Sequence, residues 1–137
     1  MIRAVIDTNI IVSALFWGGL PAQVFAAARD EKFIALLTEP LLSEVATVMG
    51  RDKFADQISK RGLTVDTIIT QYRSAAVFVE SAEISMDTLR DPKDIMILAC
   101  AVGGKADFII SGDKDLLILK VYENIPILSA DQFLQRL

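Results

Sequence analysis

Asp7-Thr8-Asn9 directly follows the apolar run Ala4-Val5-Ile6, and Ser111-Gly112-Asp113-Lys114-Asp115 directly follows Phe108-Ile109-Ile110. A carboxylate just beyond the carboxyl end of a buried strand stands where open parallel sheets bind ligands. If the two strands are parallel neighbours, Asp7 and Asp113 emerge at one edge, and Gly112 allows the tight turn that aims Asp113 back across it. Alone, each acid has an ordinary structural use, Asp7 as a helix N-cap and Asp113 as a turn residue. As a pair, each behind buried apolar residues, they point to chemistry.

Two helices add to the pair. On a wheel of about 100° per residue, Leu41, Leu42, Val45, Val48 and Met49 form an apolar arc with Ser43 and Thr47 opposite. Glu44 falls roughly 40° beyond Val48, at the margin of that arc, where a carboxylate with a task would sit; a solvated edge residue is the alternative. Arg90-Asp91-Pro92-Lys93-Asp94 leads into Ile95-Met96-Ile97-Leu98-Ala99-Cys100-Ala101-Val102, a helix apolar all round and therefore central. Asp91 before Pro92 has the N-cap then N1 pattern and reads first as a cap. Asp94 then lies in the first turn, favoured by the helix dipole and carried to the edge of the core.

The chain has no histidine, so it lacks the commonest general base and the commonest transition-metal ligand. Any metal must be held by oxygen, which favours Mg2+ or Mn2+. Four converging carboxylates repel one another and lose solvation, with only Lys93 and Lys114 close in sequence to compensate. Divalent cations relieve that strain directly. Two of them, roughly 3.5–4 Å apart, can activate a water and stabilise the leaving oxygen of a phosphodiester. Thr8, Asn9 and Ser111 can hydrogen-bond the carboxylates or a metal-held water.

The elements that must position these residues alternate in type. Strands are predicted at the N-terminus up to Ile6 and over 33–37, 76–79, 107–111 and 125–128. Helices are predicted over 10–17, from Pro21 to 29, 40–49, 51–61, 64–75, 92–102 and from Ala130. Strands apolar on both faces argue for an α/β domain over residues 1–137, with a mostly parallel five-stranded sheet flanked by helices on both faces. No repeat, linker or low-complexity tract divides it.

Hydrophobic residues make up 53% of the 137, yet the longest apolar run, Ile95 to Val102, is far short of the ~18 residues that span a bilayer. Arg3 and Asp7 interrupt the N-terminus before a signal-peptide core forms. A soluble, cytoplasmic protein with no membrane role is expected, and the surplus apolar content suggests an oligomer or a partner surface. The single cysteine, Cys100, excludes an internal disulfide. Residues 80–137 carry ten acidic and six basic side chains, unlike the basic footprint of most nucleic-acid binders. Bound metal would reverse that local field.

In this order and spacing, the motifs Asp7-Thr8-Asn9, the helix with Glu44, Asp94 heading Ile-Met-Ile-Leu-Ala-Cys-Ala, and Ser111 to Leu116 resemble the PIN-domain ribonucleases over nearly the whole chain. The similarity is greatest to toxin components of toxin–antitoxin pairs. It implies metal ligands at Asp7, Glu44, Asp94 and Asp113, with Asp115 as an accessory acid and Asp91, Thr8, Asn9 and Ser111 in support. It further implies Mg2+- or Mn2+-dependent cleavage of RNA by metal-activated water, a homodimer, and a small antitoxin that blocks the site. Basic residues for RNA would be Arg51, Lys53, Lys60, Arg61 and Lys114, though Asp52 and Asp56 dilute that patch. Two rivals remain. A haloacid-dehalogenase-type phosphatase wants a second aspartate where this chain has Asn9. A non-catalytic interaction module would use the apolar stretches 10–17 and 22–28.

Overall fold

In a computed structural model, which describes residues 1–84 and 91–137, the chain folds as alternating strands and helices. They are β1 (Arg3–Ile6), α1 (Thr8–Phe16), α2 (Gly19–Arg29), β2 (Ile34–Leu37), α3 (Glu39–Met49), α4 (Asp52–Lys60), α5 (Val65–Ala75) and β3 (Ala76–Phe78). Then follow α6 (Pro92–Gly103), β4 (Phe108–Ile110), α7 (Lys114–Leu119), β5 (Val121–Tyr122), β6 (Ile125–Leu128) and α8 (Ala130–Leu134). Arg90 of the expected Arg90–Asp94 segment lies outside the described residues.

The sheet runs β3-β2-β1-β4-β6-β5, parallel except at the β5 edge. β1 is central, paired in parallel with β2 on one side and β4 on the other. Ala4, Val5 and Ile6 are all buried although neighbouring side chains of a strand point to opposite faces, so both faces of the sheet are covered. α6 packs on β1, β2 and β4. Phe133 of α8 sets its ring edge-on against Phe33 and Phe108, with centroids 4.7 and 6.1 Å away. Buried aromatic side chains of this kind contribute roughly 1.5–3 kcal/mol each.

Among the described residues the sheet has six strands, where the sequence predicts five. The extra strand, β5, pairs antiparallel with β6 across a two-residue turn in which Glu123 and Asn124 both take positive φ, 46° and 65°. That is the turn geometry whose twist matches a hairpin. α7 is likewise additional to the expected elements, a six-residue helix started by Asp113. Pro21 stands at the third position of α2 rather than its first; the missing N–H costs nothing there, since the first four amides of a helix lack internal partners.

The last residue of α6 is glycine for a packing reason. A Cβ on Gly103 would collide with the Glu80 carbonyl oxygen, and Ala82 N–H donates to the Ala99 carbonyl at 3.0 Å. No single helix among the described residues is long and apolar enough to cross a membrane. α1 and α2 together are apolar enough, but they bend by 105° and bury Ile10, Ile11, Phe16 and Val24 in the core.

Candidate metal centre

The β1–β4 pairing brings together acids more than a hundred residues apart. Asp7 continues that pairing by one residue, donating its N–H to the Ile110 carbonyl at 2.9 Å. Its side chain divides its oxygens between two tasks. Oδ1 accepts the Asn9 N–H at 3.3 Å and caps α1, while Oδ2 accepts the Ser111 hydroxyl at 2.7 Å.

Ser111, fully buried, joins the two halves. Besides donating to Asp7, its Oγ accepts the Asp113 N–H at 3.0 Å, and its own N–H is held by the Leu128 carbonyl at 2.9 Å. The turn that aims Asp113 is thus made by a serine hydroxyl. The role expected of Gly112 is not supported: its φ is not positive, and a Cβ there would meet only Ile10, at 3.8 Å. Asp113 Oδ1 accepts the Asp115 N–H at 2.8 Å and caps α7.

Asp91 caps α6, accepting the Lys93 N–H at 3.0 Å, with Pro92 at N1. This sets Asp94 in the first turn with only 5% of its surface exposed. Burial, then the negative charges of Asp113, Asp91, Asp7 and Asp115, push its carboxyl up to about 6. Burial also raises Asp7, against the lowering effect of its hydrogen bonds from Ser111 and Asn9, and Asp113 raises it further. These acids are held together at an electrostatic cost.

Glu44 reaches the same place from α3, which packs against α6. Its side chain is 15% exposed, and its Oε1 is enclosed with no hydrogen-bond partner. Lys93 Nζ stands 3.6 Å from that oxygen, an ion pair beyond hydrogen-bond reach.

Asp7, Glu44, Asp91, Asp94 and Asp113, with Thr8, Asn9, Arg51 and Lys93, line one cavity of about 100 Å3. A larger cavity of about 260 Å3 between α1, α2 and α5 is apolar, with Arg29 its one charged wall. It offers no carboxylate to a cation. Asp115 and Ser111 lie outside the acidic cavity's wall, Ser111 as its internal brace. Of the basic residues expected near a substrate, only Arg51 reaches this wall. Lys53 lies over the Phe54 ring at 5.0 Å. Arg61 lies over Phe16 and donates to the Gln57 and Phe16 carbonyls at 3.0 and 3.3 Å, so its guanidinium is engaged in the fold. Lys60 and Lys114 are exposed.

The donor set is all oxygen and suits a hard cation. The enclosed Glu44 Oε1 and the mutual repulsion of the aspartates are what such an ion would satisfy. As they stand, though, no three acidic side chains among the described residues are close enough to share one ion. Sequence reasoning named Lys93 only as a nearby counter-charge and did not place it in the site. Its signal was a lone cation inside Asp91-Pro92-Lys93-Asp94, but the partner comes from another helix.

Comparison with known proteins agrees with this architecture. The PIN domain family model matches residues 3–115, from the first residue of β1 to the acid after Asp113. No curated protein matches the chain. Among solved structures, the fold is similar to a chain in the crystal structure of VapBC2 from Rickettsia felis bound to a DNA fragment from their promoter. The TM-score is 0.61 at 11% identity, covering 93% of this chain and 98% of that one.

Proposed function

The chain belongs to the PIN-domain family, whose members are generally nucleases, and from that premise we propose that it is a Mg2+- or Mn2+-dependent endoribonuclease. The observation that carries the reading is that Asp7, Glu44, Asp94 and Asp113, from four separate segments, line one small cavity. When bound there, a divalent cation supplies the charge that acidifies a water and steadies the leaving oxygen of a phosphodiester.

The chain's own residues do the rest. Ser111 and the α1 amide at Asn9 orient Asp7, and the α7 cap orients Asp113. Asp94 is presented by α6 and Glu44 by α3. Asp115 is an accessory acid, and Thr8, Asn9 and Asp91 complete the wall around the ligands. Arg51, on the cavity wall, is our candidate to meet a phosphate oxygen; Lys53, Lys60, Arg61 and Lys114 are further candidates for RNA away from that wall. The likeness of fold to VapBC2 supports a toxin's role with a small antitoxin as partner, and a homodimer in the cytoplasm fits that role.

The test is sequencing of RNA ends after controlled expression of the wild type and of Asp94→Asn. The proposal expects new 5′ ends in the wild type alone; identical profiles would overturn it. A non-catalytic interaction module is the second reading, favoured by the failure of three acids to converge as they stand. It wins if the wild type and Asp7→Asn bind RNA and metal alike and neither cuts RNA with Mn2+.

A further inference from the structure

We infer that Lys93 is a built-in counter-ion for Glu44 that a divalent cation must displace, so that this lysine sets the cation affinity of the cavity. The inference rests on the cation-dependent reading above. Three observations carry it. Lys93 Nζ is 3.6 Å from Glu44 Oε1, the oxygen that is otherwise enclosed without a partner. Both side chains line the cavity shared by Asp7, Asp94 and Asp113. No three acidic side chains among the described residues stand close enough to share one ion, so the cavity is not arranged around a cation as it stands.

The competition follows from charge and exposure. A lone ammonium neutralises one carboxylate, whereas a doubly charged ion is attracted to several at once. The Lys93 side chain is 48% exposed and mounted on the first turn of α6, so on release it gains water and loses little packing. Glu44 has no such freedom; it is 15% exposed and its helix is fixed against α6. The lysine is therefore the partner that leaves. Half-exposed ion pairs are worth up to about 1 kcal/mol, so removing this one should tighten cation binding by up to about fivefold.

The experiment is calorimetric titration of the purified, metal-stripped full chain with Mn2+, for the wild type, Lys93→Met, Lys93→Arg and Lys32→Met. Lys93→Met should bind Mn2+ several-fold more tightly, and Lys93→Arg should stay near the wild type. Lys32→Met, which removes an equal charge from an exposed position before β2 and away from the cavity, should change affinity less than twofold. Equal or weaker binding by Lys93→Met overturns the inference, as does an equal gain in Lys32→Met. If no variant binds Mn2+, the cation-dependent reading itself falls; equal binding by all four overturns this inference alone. Should Lys93→Met fail to fold, Mg2+ titration of the wild type followed at the Lys93 ε-methylene resonance decides. A shift saturating with the cation supports displacement, and an unmoved resonance refutes it.

Discussion

Replacing Ser111 with alanine removes one hydroxyl from a fully buried position and strikes both halves of the site. The bond to Asp7 Oδ2 is short, 2.7 Å, and charge-assisted, a kind worth roughly 1.5–3 kcal/mol. The same oxygen accepts the Asp113 N–H at 3.0 Å, so the turn between β4 and α7 loses its anchor too. A net destabilisation of about 2–3 kcal/mol is expected. For a domain of this length each kcal/mol moves the melting midpoint by roughly 3–5 °C, a fall of about 6–15 °C. The hydroxyl favours the charged form of Asp7, so the loss is largest well above the raised Asp7 pKa and shrinks as pH falls through it. Calorimetric melting of Ser111→Ala and Ser111→Thr at pH 7.5 and 4.5 tests this, with Mn2+ titration alongside. Threonine, which keeps the hydroxyl, should retain most of the cation affinity, while alanine should lose about ten- to a hundredfold. A Ser111→Ala protein that melts within 2 °C of the parent and binds Mn2+ equally would refute the bracing role.

Other perturbations bear on separate parts of the structure. Asp94 titrates at about 6 in the fold against an ordinary 3.8, so the folded protein holds that proton more tightly than the unfolded chain. Its contribution to metal-free stability is present at low pH and lost as pH rises through about 6, by about 3 kcal/mol at most. Asp94→Asn should flatten that fall, and a pH–stability curve in chelator with the same slope for both proteins would contradict it. Gly103→Ala sets helix propensity, which favours alanine by up to about 1 kcal/mol, against a backbone collision that costs about 1–3 kcal/mol. Destabilisation in urea unfolding is expected, and a stabilised variant would show that the 80–82 segment does not pack as described. Gly112→Ala should be neutral or stabilise by a few tenths of a kcal/mol, because neither φ nor space demands glycine there. A loss above 1 kcal/mol in the same unfolding assay would restore the turn argument.

What was legible in the sequence was what depends on pattern. Apolar runs ending in Asp7 and before Asp113 marked two strands, and their parallel pairing put both acids at one edge. The wheel of α3 placed Glu44 at the margin of the buried face, where its side chain is found. Asp91 before Pro92 was readable as a cap because capping is local chemistry. The rest depends on contacts that no local window contains. The Lys93–Glu44 pair exists only because α3 lies on α6. β5 hides in the apolar stretch 116–122, where neither period nor length separates a short helix from a short strand, and Glu123 masks a turn that glycine would have advertised. Gly112 drew attention that belonged to its neighbour Ser111, whose hydroxyl does the bending.

The central place of β4, between β1 and β6, has a consequence in time. During synthesis the N-terminal half emerges first, at about 5–20 residues per second. β1 and β2 can pair in it, with β3 to follow, and Asp7 and Glu44 are already present. Asp94 and Asp113 arrive only in the last third of the chain, and the Ser111 amide waits for the Leu128 carbonyl nine residues before the end. A chain grown only as far as α5 therefore carries half the set of acids and no brace to hold them. Whatever chemistry the cavity performs begins only after β6 has been made.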